Sequence, residues 1–363
     1  MTYPSITYVV KTSTPEPSAL TATSAALQSR SALAAVMAFP IVFVAFATVA
    51  ALYLYRLYHK TTNGICTSLK TLEGKTAIVT GGTTGMGFEI AKDLTRRGAR
   101  VIIACPFEKE GLNAQKIIEE KTGVRPVFKL LDLGSLESVR EFAGDILKTE
   151  DRLDLLINNA GVGVPKNFET KDGMNFIMQV NYYGHFLLTI LLLPLLKKTG
   201  TAAEPARVVN TSSMLHNLGR IDLNANKSGM NWLPFFSYCN SKFSMIPFSR
   251  ELTRRLKGAH VVINSVDPGA VGTGIYYSGG LLFGAVLRYW TIFFNKTPRE
   301  GAQTALHVAL DDRAGEISGE FFKDCKQARA ILTAYRSKNA KILWEESVRL
   351  VKLTEEELEK CFN

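Results

Sequence analysis

The run Thr76-Ala-Ile-Val-Thr-Gly-Gly-Thr-Thr-Gly-Met-Gly87 decides how the rest of the chain is read. Its first five residues are apolar or β-branched and uncharged, the pattern of a short strand buried on both faces. The glycines that follow let the backbone turn tightly and come close to a ligand. From Met86 to Arg97 the apolar residues return at helical spacing. A strand, a glycine-rich turn and a helix in that order leave free N–H groups and the positive end of a helix dipole where an anion such as a pyrophosphate would sit. Thr80, Gly81, Gly85, Met86 and Gly87 are the candidate contacts. A tight turn with only a structural duty has the same composition, so the context carries the reading.

The pattern repeats outward from this unit. Strands are expected at Arg100–Ala104, Val127–Leu131, Leu153–Asn158, Arg207–Asn210 and His260–Ser265. Helices are expected at Gly111–Lys121, Ser135–Lys148, Gly173–Lys198 and Tyr238–Leu256. Continuous apolar strands alternating with amphipathic helices predict an α/β fold, a doubly wound parallel sheet of the Rossmann type over residues 73–330. The run Phe186–Leu196 is strongly apolar but too short to span a bilayer, and Lys197 and Lys198 close it. It reads as a helix of the core or of a dimer interface, and a homodimer is one of the arrangements this allows.

Hydrophobic residues make up 46% of the 363, and the excess lies at one place. Ser31 to Tyr55 carries no charge and is about long enough to cross ~30 Å of hydrocarbon. The expectation is a disordered tail over 1–30, a single N-terminal transmembrane helix over 31–58 held by membrane lipid, a linker over 59–72 and a helical C-terminal extension over 331–363. Pro40 is a potential kink. Arg56, Lys60, Lys70 and Lys75 follow the span and only Lys11 and Arg30 precede it. That asymmetry puts the bulk of the chain in the cytosol. The five cysteines are scattered, with neither a disulfide framework nor zinc spacing, and the five histidines do not cluster, so no metal site is expected. A net charge of +10 without basic runs does not suggest nucleic acid.

The chemistry-bearing residues come in order. Tyr238 and Lys242, four apart on a helix, share a face, and an ammonium beside a phenol favours tyrosinate. Ser213 offers a hydroxyl to an oxygen undergoing reduction or oxidation. Asn181, an amide in an apolar helix, needs partners and could hold a water leading to Lys242. Asp132-Leu133 closes the third strand, where a carboxylate can accept an adenine amino group or cap a loop. Asn159, Ala160 and Gly161, after Asn158, could line a ribose or tie strands together. Pro268, Gly269, Val271 and Thr273 form a turn at the sheet's carboxyl edge, where such folds bind ligands.

This ordered set resembles the short-chain dehydrogenase/reductase superfamily over about residues 62–353. Gly64-Ile-Cys-Thr67, Asn210-Thr-Ser-Ser213 with His216 and Gly219-Arg220, Tyr238-Cys-Asn-Ser-Lys242 and Lys296-Thr-Pro-Arg-Glu-Gly-Ala-Gln303 resemble its membrane-anchored retinol dehydrogenase branch. The resemblance implies NADP(H) as cofactor and a lipophilic alcohol or aldehyde, retinol or retinal first, as substrate. Steroid, isoprenoid and long-chain aldehyde substrates are the alternatives, and a catalytically silent nucleotide-binding scaffold is the alternative outside enzymes. It implies Tyr238 as general acid/base, Lys242 on the nicotinamide ribose, Ser213 on the substrate oxygen and Asn181 on the relay water, in a protein of the endoplasmic reticulum membrane. The chain departs from the branch at Pro106, where an arginine would meet the 2′-phosphate. Lys109 or Arg97 is then the expected substitute, and NAD(H) stays open. The apolar stretch Ile275–Phe294 reads as a substrate lid. Asn226 and Asn295 head glycosylation sequons that would report a lumenal domain.

Overall fold

The structure is a computed structural model that describes residues 19–163, 168–222, 234–272 and 295–362, with backbone alone for 19–38 and His59. The chain divides into two compact units, residues 1–58 and 59–363.

Helix α1 (Ala19–Thr62) runs for 44 residues, through Pro40. Its start corrects the expectation of disorder up to residue 30. Ala19–Arg30 is rich in Ala and Leu, the strongest helix formers, and it is continuous with the apolar run, so no separate nucleation is needed. From Phe39 on, the large apolar side chains are exposed on every side of the helix, Phe39, Val44, Phe46 and Leu54 among them. The segment Phe39–Thr62 is long and apolar enough to cross a membrane, and 0% of its apolar window is buried.

The second unit is built on one sheet. Strands β1 (Thr76–Thr80), β2 (Arg100–Cys105), β3 (Val127–Leu130), β4 (Leu155–Asn158), β5 (Ala206–Thr211), β6 (Val261–Asp267), β7 (Phe321–Lys323) and β8 (Lys326–Ala328) lie in the order β3-β2-β1-β4-β5-β6-β7-β8. All pairs are parallel except β7 with β8. Strands β1, β4, β5 and β6 are buried at every residue. Chain order reverses between β1 and β4, which creates a crevice at their carboxyl ends. The β7–β8 hairpin was not expected. Its strands are three residues each, and its turn residues Asp324 and Cys325 both have positive φ.

Helices cover both faces. The β1–α2–β2–α3–β3–α4 half uses α2 (Gly85–Arg96), α3 (Glu108–Thr122) and α4 (Leu136–Thr149), the last capped by Ser135, whose Oγ accepts from Ser138 N at 3.2 Å. After β4, α5 (Phe176–Met178), a π-helical turn (Gln179–Tyr183) and α6 (Gly184–Thr199) follow without a break. This stretch meets the same test for a span as α1, yet 89% of its window is buried. Leu187, Leu188, Ile190, Leu192 and Leu193 pack into the core formed with β4, β5 and α7 (Pro234–Arg255). Helix α8 (Pro298–Leu310), with a Thr297–Glu300 capping box, covers the other face. After the short α9 (Asp312–Gly315), α10 (Ser337–Leu350) and α11 (Glu355–Phe362) return to the core through Leu343, Trp344, Val351 and Cys361.

Residues 63–72 are strapped to the domain. Cys66 N donates to Gln303 Oε1 at 3.1 Å and Ser68 Oγ to Leu310 O at 3.2 Å. Arg97 Nη1 donates to the carbonyls of Ser68 (2.8 Å) and Lys70 (3.0 Å). At Gly64 the strap passes so close to the β7–β8 turn that a Cβ would lie 2.1 Å from Asp324 O. Any other side chain would push strap and turn apart.

Candidate active site

The crevice is lined from β1 upward. Gly81 and Gly85 have φ of +64° and +58°, conformations that favour glycine. A Cβ at Gly87 would lie 2.2 Å from Gly81 O and 2.4 Å from Asn159 Nδ2, so the turn closes over the end of β4 only without one. Thr80 Oγ1 accepts the N–H groups of Asn159 and Ala160, both at 3.0 Å, and Asn159 Nδ2 donates to Thr80 O at 3.0 Å. Asn158 Nδ2 donates to Asn210 Oδ1 at 2.8 Å and to Thr189 Oγ1 at 2.9 Å, which ties β4 to β5 and α6. These amides therefore join strands as well as facing the crevice.

Asn181 sits inside the π turn, a distortion common at functional sites. Its Oδ1 accepts Val162 N–H at 2.8 Å and its Nδ2 donates to Val162 O at 3.0 Å and Ser241 Oγ at 3.1 Å. Ser241 Oγ in turn donates to Tyr238 O at 2.7 Å. Asn181 thus reaches the Tyr238–Lys242 turn through one serine. A Cβ at Gly161 would lie 3.3 Å from Lys242 Nζ and 3.4 Å from Asn181 Oδ1, so this glycine lets the β4 loop lie against both.

Lys242 is 3% exposed, donates from Nζ to Thr211 O at 3.1 Å and lies 5.9 Å from the centre of the Tyr238 ring. Burial lowers its pKa to about 8, close enough to neutrality for the amine to exchange protons readily. Ser212 Oγ donates to Lys242 O at 2.7 Å, which fixes α7 against the end of β5. Next to it, Ser213 Oγ accepts Leu215 N–H at 3.2 Å, which leaves the hydroxyl hydrogen for a ligand oxygen. His216, kept neutral by burial, donates from Nδ1 to Ser213 O at 2.6 Å. The ends of β4 and β5, the π turn and α7 so converge on Ser213, Tyr238, Lys242 and Asn181.

After β6, burial raises the Asp267 pKa, and its Oδ1 accepts Gly269 N–H at 2.9 Å. Gly269 has φ +80°. Val271 pairs with Lys296, whose buried ammonium is held by Asp324 at 2.5 Å, so Pro268–Val271 is anchored from two sides. Thr273 and the stretch Ile275–Phe294 lie outside the described residues, as does Asn226. Asp132 commits Oδ1 to Gly134 N–H at 2.8 Å, the loop-cap use, and Leu133 is buried in the core. An open cleft of about 740 Å³ beside Asp132, lined also by Glu137, Phe168 and Phe176, contains none of the four convergent residues.

One expectation is corrected. Arg97 is no partner for a 2′-phosphate. It pairs with Asp93 at 2.6 Å and holds the strap, at the far end of α2 from the glycine turn. Lys109 is exposed in the first turn of α3. In the Asn295 sequon, Asn295 is half-buried and Thr297 exposed, with the Thr297 hydroxyl bonded to Glu300.

His185 is absent from the candidates that the sequence offers. It lies in the crevice wall, 2.9 Å from Thr80 Oγ1 and 3.2 Å from Asn181 O. The one available signal was a histidine in an otherwise apolar run, which must find partners if buried.

A family model for short chain dehydrogenases matches residues 75–278. The chain belongs to the short-chain dehydrogenase family. Among its curated relatives it is 43% identical over 298 residues to retinol dehydrogenase 11 of Mus musculus, covering 80% of this chain and 90% of that protein. Among solved structures, an uncharacterised protein from Mycobacterium paratuberculosis superposes with a TM-score of 0.64 at 29% identity, over 80% of this chain and 98% of that one. A short-chain dehydrogenase from Shigella flexneri 2a, solved with NADP, has a TM-score of 0.55 at 25% identity, over 71% of this chain and 99% of that one. This short-chain dehydrogenase is accordingly an oxidoreductase acting on CH–OH donors, and its coenzyme is a nicotinamide dinucleotide. The crevice fits such a group. Its glycines leave the turn backbone bare, and the buried atoms Asn159 Oδ1 and Thr211 Oγ1 have no partner among the described residues, so they are available to a ligand.

Proposed function

We propose that this short-chain dehydrogenase interconverts a lipophilic alcohol and its carbonyl compound, retinol and retinal first among them, with NADP(H), at a membrane that α1 enters. The observation that carries the proposal is the convergence of Ser213, Tyr238, Lys242 and Asn181 on one crevice, joined through Thr211, Ser212 and Ser241. The retinol dehydrogenase relatives support the substrate class, and the exposed apolar face of Phe39–Thr62 supports delivery from lipid.

Thr80–Gly87 and Asn159–Gly161 would hold the phosphate and adenosine portions of the coenzyme, and Pro268–Val271 its carboxamide. When bound, the coenzyme supplies the carbon that gives or takes the hydride. The Ser213 hydroxyl orients the substrate oxygen. Tyr238 gives that oxygen a proton in reduction and takes it in oxidation. Lys242 favours the tyrosinate, and Asn181 holds the water through which the proton reaches solvent. Lys109 favours the 2′-phosphate of NADP(H) over a free hydroxyl. The charge asymmetry around the span supports a single-pass protein of the endoplasmic reticulum with its domain in the cytosol.

A matrix of both coenzymes with retinoid, steroid and long-chain substrates, run on purified protein and on Tyr238→Phe, tests the reading. The expected outcome is NADPH-dependent turnover of retinal that falls by about 10²–10⁴-fold in the variant while coenzyme still binds. Retained turnover in the variant would refute the roles, and a preference for NADH would refute the coenzyme. Protease protection in intact microsomes tests topology.

A further inference from the structure

His185 is fully buried on an apolar helix, and each ring nitrogen has a different kind of partner. Nδ1 faces Asn181 O at 3.2 Å, an atom that can only accept, so Nδ1 carries the hydrogen. Burial lowers the ring's pKa to about 3, against the Asn181 bond and with the help of the Lys242 charge, so the ring is neutral. Nε2 is then an acceptor, and the Thr80 hydroxyl at 2.9 Å must donate to it. Thr80 has one hydroxyl hydrogen. The Ile157 carbonyl at 3.3 Å is the longer alternative, and using it would leave Nε2 buried without a partner. With its hydrogen committed, Thr80 Oγ1 turns its lone pairs to the N–H groups of Asn159 and Ala160, both at 3.0 Å. Donation therefore runs one way, from the β4-loop amides through Thr80 and His185 to the carbonyl of the π turn. Each bond in such a chain polarises the next.

We propose that His185 is a positioning residue which, as the neutral Nδ1–H tautomer, sets the coenzyme-side loop Asn159-Ala160 and the Asn181 turn in register with each other. The proposal rests on the reading of those two segments as coenzyme contact and proton relay. Histidine suits the task because one rigid ring offers a donor at one end and an acceptor at the other. Asn can supply the donor near Nδ1, and Gln the acceptor near Nε2, but neither supplies both.

The two halves are therefore separable. His185→Gln should keep the coenzyme Kd within about threefold and lower kcat about tenfold, from loss of one buried hydrogen bond. His185→Asn should do the reverse, raising the coenzyme Kd about tenfold with kcat at saturation nearly kept. Thr80→Val also strips the Asn159 and Ala160 N–H groups of their acceptor, so it should raise the Kd more than His185→Asn does, and the double variant should exceed Thr80→Val alone by little, because the His185 linkage is already broken in it. If the His185 variants do not fold, the ring tautomer of the unaltered protein carries the test. In the unaltered protein, imidazole nitrogen NMR should show a neutral Nδ1–H ring from about pH 6 to 8, a signature that needs no substrate. An imidazolium or Nε2–H ring, or His185 variants that lose thermal stability while Kd and kcat stay within about twofold, would overturn the proposal. If Tyr238→Phe is inactive while the His185 variants behave as wild type, the positioning role fails alone. If Tyr238→Phe is active, the reading beneath it has failed.

Discussion

Two helices in this chain meet the same length and hydropathy test for crossing a membrane, and they are used in opposite ways. Phe39–Thr62 exposes its apolar side chains all round, whereas Phe176–Thr199 is 89% buried in the sheet's helical layer. Both are apolar on every side, as a helix buried in lipid or in protein must be. The difference is in their polar residues. The buried stretch carries Gln179, Asn181, His185 and Thr189, all fully buried and each hydrogen-bonded to another element or to the backbone. In the first helix the side-chain bond described inside the apolar run is local, Thr48 Oγ1 to Val44 O at 2.7 Å. The exposed apolar run closes its described side-chain bond on itself, whereas the buried helix commits its polar groups to its neighbours.

The comparison is tested most severely by placing a charge in each helix. Leu192→Lys puts an unpaired ammonium where exposure is 0%. It should cost more than about 4 kcal/mol and leave little folded domain, as read by circular dichroism of the expressed protein. Next in size, Asn181→Ala should keep the fold and lower kcat by about ten- to a hundredfold, with a stability loss of about 1–3 kcal/mol from the Val162 amide and carbonyl it leaves unpaired. A variant that loses stability but no turnover would reduce the polar half of this helix to packing.

A smaller effect follows from Lys242, at the other end of the Asn181–Ser241 link. Its pKa is about 8 in the folded state against 10.5 unfolded. Between those values the unfolded chain binds more protons, so stability rises with pH across that window, and below about 8 the cost of burying the charge is fully present. Relative to Lys242→Met, the unaltered protein without coenzyme should gain up to about 3 kcal/mol between pH 8 and 10.5 in denaturant titrations. A constant difference between the two would mean that the amine titrates normally.

The smallest effect on the domain is expected in the first helix. Val44→Lys should leave the melting temperature and kcat unchanged while it weakens retention in the membrane fraction, since a central lysine costs about 2.5–3.5 kcal/mol of insertion. Loss of domain stability in that variant would show that α1 belongs to the fold.

Most of the architecture was open to reading because its signals are local. Thr76–Thr80 is uninterrupted and apolar, Gly81 and Gly85 mark positive φ, Ser135 caps α4, and four-residue spacing alone puts Tyr238 and Lys242 on one face. The β7–β8 hairpin escaped because its strands are three residues long and its turn places Asp324 and Cys325, rather than glycine, at positive φ. The start of α1 at Ala19 has no local mark, because Thr and Ser recur across it and only continuity with the apolar run carries the helix.

The amino-acid sequence by itself determined the alternation of strands and helices along the chain, the glycine turn and the four-residue spacing of Tyr238 and Lys242, since periodicity and spacing act over one or two turns of chain. Tertiary structure alone decided which apolar helix is covered, that Arg97 holds the strap instead of a phosphate, and that His185 joins Thr80 to Asn181. Hydropathy belongs to a residue wherever it stands. Burial and hydrogen-bond partnership belong to pairs, and these pairs are brought together from distant parts of the chain, as Thr80 and His185 are across 105 positions.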